Sequence, residues 1–214
     1  MTSKTIIANR YSLMANKVIN ALNSRGYTAM YCETAADAAR TALSFIPEGT
    51  SVSWGGSLTI EESGLIELLK NGNYNVLDRA DAKTPEQRAE ITRSALTCDT
   101  FLSSVNALSE DGIIINIDGM CNRIAAIAYG PKSVILMVGM NKICKDVAAA
   151  RSRARNFAAP NNAVRLSADT PCAKDGMCHD CNSPACICSQ IVEMRRSREK
   201  DRIKVILVGE TLGL

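Results

Sequence analysis

The chain has 214 residues, nine of them cysteine, with a net charge of +3 and 46% hydrophobic against 22% charged residues. That length suits one domain with a sizeable core, and no run of about 20 apolar residues is present to cross a bilayer. The small charge, with only three Phe, five Tyr and one Trp, argues against a nucleic-acid surface. The first residues lack an apolar stretch followed by a small-residue cleavage site, so a cytoplasmic protein is expected.

Residues 3–25 place Ile6, Ile7, Leu13, Met14, Val18, Ile19 and Leu22 at helical spacing that stops at Arg25-Gly26. A short strand follows over 27–32, and Thr34 is placed to cap an alanine-rich helix over 35–45. After the break at Pro47-Glu48-Gly49, residues 50–54 read as a strand running into Gly55-Gly56, and 60–69 as a helix ending near Gly72. A short strand at 75–77 leads to Thr84-Pro85-Glu86, a good start for a helix over 87–96. Four apolar runs come next, at 100–108, 113–117, 124–128 and 134–138. Most read as strands, although the third is equally compatible with a short helix. Residues 145–157 are helical, a cysteine segment follows after Pro160, and 203–208 form a last strand. Helices alternating with buried strands imply one α/β domain over 1–214, with a largely parallel sheet and a cysteine-rich segment at 169–190.

Ligands of such sheets bind beyond the carboxyl ends of the strands. The polar loops fall there, around Ser53, Gly55, Gly56, Ser57 and Thr59, at Asn106, from Asn116 through Asp118, Gly119 and Asn122 to Arg123, and at Asn141-Lys142. Gly55 and Gly56 admit backbone angles closed to other residues and let a ligand approach the main chain, while Ser53, Ser57 and Thr59 supply hydroxyl donors. Arg123 offers a bidentate fork to an anion. Asp118, Lys142 and Glu62 are the candidates for acid–base or covalent chemistry. The bland reading of each is a satisfied turn, a surface lysine and a first-turn carboxylate. Likewise, the arginines at 151, 153 and 155 and the basic run at 195–204 read as solvated faces.

The densest chemical signal is PCAKDGMCHDCNSPACICSQ, with cysteines spaced C-x5-C-x2-C-x4-C-x-C. Four thiolates can fully ligate zinc or an iron-sulfur cluster, and Cys172, Cys178, Cys181 and Cys188 are the expected set, with Cys186 as a substitute and His179 a weaker candidate. The spacing leaves the metal undecided. Cys32, Cys98, Cys121 and Cys144 are scattered and read as small core residues.

Taken in order, WGGSLTIEESG, FLSSVNALSEDGIIINIDGMCNR, GPKSVILMVGMNKI, the arginine-rich helix and the cysteine tail resemble the LUD-domain family, the lactate-utilization type. The resemblance spans nearly the whole chain. It implies a Rossmann-like α/β sandwich similar to ribose-5-phosphate isomerase, glucosamine-phosphate deaminase and CoA transferases, and a part in an iron-sulfur system that oxidises L-lactate to pyruvate. The matching positions are Ser53, Gly55, Gly56, Ser57, Thr59, Glu62, Asn106, Asn116, Asp118, Gly119, Asn122, Arg123, Asn141 and Lys142. Two departures stand out: no ferredoxin-type cysteine run is present, so the chain is not the electron carrier, and Cys186 replaces a basic residue common in members with this tail. The expectation is an accessory or ligand-binding component that takes a small carboxylate or phosphate, meets iron-sulfur partner proteins and forms a homo-oligomer. The alternatives are an independent enzyme for a sugar phosphate or acyl-CoA, and a metal-stapled interaction module without catalysis.

Overall fold

The computed structural model describes residues 2–214. Helix α1 (Ser3–Ser24) starts at Thr2, whose hydroxyl accepts from the Thr5 N–H, and buries Ala15, Val18 and Leu22. Then come β1 (Thr28–Cys32), α2 (Ala35–Ser44), β2 (Ser51–Trp54), α3 (Leu58–Glu62), α4 (Leu65–Asn71), β3 (Asn75–Leu77) and α5 (Pro85–Ser94). Thr34 and Thr84 cap α2 and α5 through the N–H groups of Asp37 and Gln87. The second half runs through β4 (Thr100–Ser103), β5 (Ala107–Ser109), β6 (Ile114–Asp118), α6 (Asn122–Ala128), β7 (Ser133–Gly139) and β8 (Ile143–Cys144). It ends with α7 (Val147–Arg153), α8 (Ala159–Arg165), α9 (Pro171–Asp175), β9 (Gln190–Met194) and β10 (Ile203–Val208).

Six strands form a parallel sheet in the order β1-β10-β7-β4-β2-β3. Alternate residues of its central strands enter two separate cores. Val134, Leu136 and Val138 face the side of α1 and α6, while Ile135 and Met137 face the side of α2 and α4. Both faces are therefore covered, which is why these strands read as unbroken apolar runs. A second, four-stranded sheet, β8-β5-β6-β9, packs Ala107, Ile115 and Ile117 against Ala150 and Ala154. The fold is a mixed, Rossmann-like α/β sandwich, as expected.

Three differences from the sequence reading, and one choice that it left open, have local causes. The helix expected over 60–69 is two helices, because Gly64 sits at φ 77° between α3 and α4. The run at 100–108 divides between the two sheets at Ser104-Val105-Asn106, where backbone and side chains are given over to polar contacts described below. The run at 124–128 is the short helix α6, held at its start by Asp118, whose Oδ2 accepts from the Ile124 N–H at 3.1 Å. The helix expected to stop at 157 continues to Arg165. A π-helical segment, Ala154–Ala158, shifts the ladder just before Pro160, which has no N–H to give. Strand β9 escapes the sequence reading because its five residues alternate only between exposed and half-buried.

Candidate functional site

Strands β2 and β4 lie side by side and parallel, but the chain leaves β2 outward to the edge strand β3 and eventually leaves β4 in the opposite direction, to β7. This is a topological switch point, where a crevice opens beyond the carboxyl ends of the strands. A cleft of about 310 Å³ occupies it, walled by the loops after β2, β4, β6 and β7 and by one face of α8. Of the residues singled out from the sequence, the cleft gathers Gly55, Gly56, Ser57, Thr59, Asn106, Asp118, Gly119, Asn122, Arg123 and Lys142.

Four others stand elsewhere and do structural work. Ser53 is buried and its hydroxyl donates to the Leu77 carbonyl at 2.8 Å, tying β2 to β3. Asn116 is fully buried and accepts from Arg123 Nη1 at 2.9 Å; its own amide nitrogen has no partner among the described residues. Glu62 accepts from the Gly213 N–H at 2.7 Å and Asn141 Oδ1 from the Leu212 N–H at 3.2 Å, so both hold the tail after β10.

Gly55 and Gly56 do not use the left-handed angles that glycine alone tolerates; neither has a positive φ. What they supply is room. A Cβ on Gly55 would press on the Arg123 side chain at 3.1 Å, and one on Gly56 would collide with the Arg79 guanidinium and come within 3.8 Å of Arg165 Nη2. Arg123 packs against the glycine turn, but its fork is spent on the protein. It donates to the Ser104 and Ile117 carbonyls and to the amide oxygens of Asn106 and Asn116, at 2.6–3.2 Å. The expected bidentate anion ligand is thus the strut that joins the loop after β4 to strand β6.

The free cationic charge in the cleft belongs to residues the sequence did not single out: Arg79, Arg88 and Arg165. Burial, followed by the positive charges of Arg88 and Arg165, lowers the pKa of Arg79. Among the described residues none of the three pairs with a carboxylate within 4 Å. They come from separate places, a 3-10 turn after β3, helix α5 and helix α8, so no local motif announces them. The hydroxyl of Ser57, which precedes α3, makes no cap bond and also faces the cleft.

Lys142 lies at the base of the cleft, only 3% exposed. Its Nζ donates to Thr59 Oγ1 at 2.9 Å, Ser104 Oγ at 3.1 Å and the Val105 carbonyl at 3.3 Å. All three acceptors are neutral. Burial, then Arg153 and Arg123, bring its pKa down from 10.5 to about 7, against a smaller opposing pull from Glu62. The expectation of a surface lysine is replaced by a buried amine that titrates near neutrality. Arg153 is not a solvated residue either, since it donates to the carbonyls of Asn106 and Asn141 and braces both loops. In the basic run before β10, Arg202 is buried and donates to three carbonyls, those of Ala126, Ile127 and Pro131.

The profile of the LUD domain matches residues 15–208. The chain belongs to the LUD-domain family. A solved DUF162 family protein from Deinococcus radiodurans, the same domain under its older designation, covers 92% of this chain and is itself covered to 98%, with a TM-score of 0.54 at 13% identity. That likeness bears on the fold alone. The eIF2B beta and delta subunits from Chaetomium thermophilum match more weakly, at TM-scores of 0.38 and 0.36, with 17% and 15% identity, 53% and 67% of this chain covered, and 44% and 57% of theirs. No curated protein matches the sequence at a significant level.

The cysteine segment of this LUD domain lies beside the cleft. Cys172, Cys178, Cys181, Cys186 and Cys188 all border a second cavity, of about 130 Å³, together with His179 and Arg155. None of the nine cysteines is in a disulfide. Among the described residues, no three Cys, His, Asp or Glu side chains are gathered closely enough to ligate one ion. Burial and then the neighbouring Cys186, Cys172 and Cys178 push the Cys188 thiol up to about 12. His179 faces Asp175 at 2.7 Å instead of the sulfurs. Cys98 is a buried core residue, while Cys32, Cys121 and Cys144 are half-buried. No helix among the described residues is long and apolar enough to cross a membrane.

Proposed function

We propose that the cleft is the receptor for a small organic acid and that the chain serves as a ligand-binding component of L-lactate oxidation, the role that its family membership suggests. The observation that carries this reading is the convergence of Arg79, Arg88 and Arg165 over a glycine turn with the buried Lys142 beneath. Guanidinium groups suit a carboxylate because two parallel N–H donors match its two oxygens. A cleft of about 310 Å³ fits a three-carbon acid with ordered water or a somewhat larger anion. Lys142 is placed to meet a hydroxyl or carbonyl oxygen at the base, and its charge is favoured once an anion sits above it. In this reading the iron-sulfur partner proteins that the family resemblance implies receive the electrons taken from such an acid.

A second reading has its own support. An amine with pKa about 7 suits proton transfer at neutral pH, and three arginines serve a phosphate as well as a carboxylate, so the site also fits an enzyme for a sugar phosphate or acyl-CoA. Calorimetric titration with L-lactate, pyruvate, inorganic phosphate and a sugar phosphate, on the wild type and on Arg79→Ala and Arg165→Ala, separates the two. Lactate or pyruvate binding that weakens about tenfold in either variant supports the first. Binding confined to the phosphates moves the assignment to the second, and no binding by any of the four overturns both in favour of an interaction module.

A further inference from the structure

Residues 176–189, between α9 and β9, contain no regular secondary structure and contribute almost nothing to the three apolar cores. What holds them is mainly polar and exposed: Arg155 with Asp180, His179 with Asp175, and the Ser183 hydroxyl donating to the Asp169 carbonyl at 3.0 Å. Exposed ion pairs contribute little, because water screens them, and do not offset the conformational entropy lost in fixing the backbone of a stretch of this length. The loop needs a stronger clamp than its own contacts provide. Five thiols border the cavity that it encloses.

We propose that Cys172, Cys178, Cys181 and Cys188 ligate a thiophilic metal centre in that cavity, with Cys186 next to it as a supporting or exchangeable thiol. Several donors already point at sulfur. The Cys188 N–H donates to Cys186 Sγ at 3.4 Å, Arg155 Nη2 to Cys178 Sγ at 3.8 Å, and the Thr170 hydroxyl lies 3.3 Å from Cys172 Sγ. Such contacts orient thiolate ligands and spread their charge. Cys178 and Cys181 flank Asp180, whose φ of 50° turns the chain tightly between them, and their C-x2-C spacing is a chelating one. Because the sulfurs line the cavity without converging on one point, loading rotates the side chains inward. Each ligating thiol gives its proton to solvent as its bond to the metal forms, so binding and loop ordering are one step. A zinc ion or an iron-sulfur cluster, the latter requiring iron and inorganic sulfide, satisfies the same four thiolates.

The test uses the full chain, purified without oxygen, with zinc, iron and acid-labile sulfide measured, followed by cobalt titration of the reduced, chelator-treated protein. The expected result is about one metal centre per chain, zinc or iron matched by sulfide, and an intense tetrahedral thiolate–cobalt absorption. Cys178→Ser should weaken cobalt at least about tenfold, while Cys32→Ser, outside the loop, should leave it unchanged. If Cys178→Ser fails to fold, the wild-type absorption counts the thiolates bound and decides the matter. A wild-type chain that neither carries metal nor gives the thiolate–cobalt absorption overturns the proposal, as does equal cobalt affinity in folded Cys178→Ser.

Discussion

Lys142 is the residue on which charge, burial and the proposed ligand meet. Its folded pKa of about 7 is below its ordinary 10.5, so between those values the unfolded chain holds more protons and stability rises with pH. Below pH 7 both states are protonated and the cost of burying the charge is felt in full; above 10.5 it is gone. Lys142→Met should therefore unfold at higher urea at pH 7, by about 1–3 kcal/mol, and the difference from wild type should shrink as pH rises through that window. An anion that pairs with the charged amine must take up a proton on binding near pH 7 and above, so its affinity falls with rising pH. Calorimetry in buffers of different ionisation enthalpy reads that proton directly. Gly56 offers a complementary test. An alanine there meets only the movable end of Arg79 and a more distant Arg165, so Gly56→Ala should fold normally yet bind the anion about tenfold more weakly by titration.

At the level of elements, turn chemistry is legible in the sequence wherever the signal is local. Thr34 and Thr84 are recognisable as caps, and both accept the expected N–H. Gly64 is not recognisable as a break, because Ile60, Leu65, Ile66, Leu68 and Leu69 form one apolar-rich run and only the backbone reveals the kink. Nothing lies within 4 Å of a Cβ built at Gly64, so Gly64→Ala isolates the left-handed backbone penalty. It should cost about 1 kcal/mol in chemical denaturation. Asp146 gives a second measure, since its Oδ1 accepts from the Ala149 N–H at 2.8 Å at the head of α7. Replacing it with alanine should cost about 1 kcal/mol. The π-helical segment before Pro160 is also hidden, because proline reads as a stop and the shifted ladder depends on packing that places Ala154 and Ala159 against the second sheet while Ala158 is buried beside the cleft.

Across the whole molecule, the parallel sheet is readable because strands buried on both faces carry their burial in composition. The second sheet is not, since β5 and β8 are three and two residues long and β9 is paired only through tertiary contact with β6. The same contrast holds at the site. The loops after strands are identifiable from Gly, Asn and Asp, whereas Arg79 and Arg88 meet Arg165 in the cleft from about 80 residues away in sequence, and the internal role of Arg123 depends on four acceptors split between the loop after β4 and strand β6. Arg202 works at the same scale, fastening the start of β10 to the end of α6. Arg202→Ala strands three carbonyls and should cost about 2–4 kcal/mol in urea unfolding.

Ile187 borders both cavities, and its backbone lies 3.5 Å from the position a Cβ would take on Gly119. The cysteine loop is therefore a partition shared by two chambers. If metal loading rearranges the sulfurs, it moves one wall of the arginine cleft, and an occupant of the cleft then pushes back on the same partition. By reciprocity, whatever factor one chamber's guest imposes on the affinity of the other is returned in equal measure.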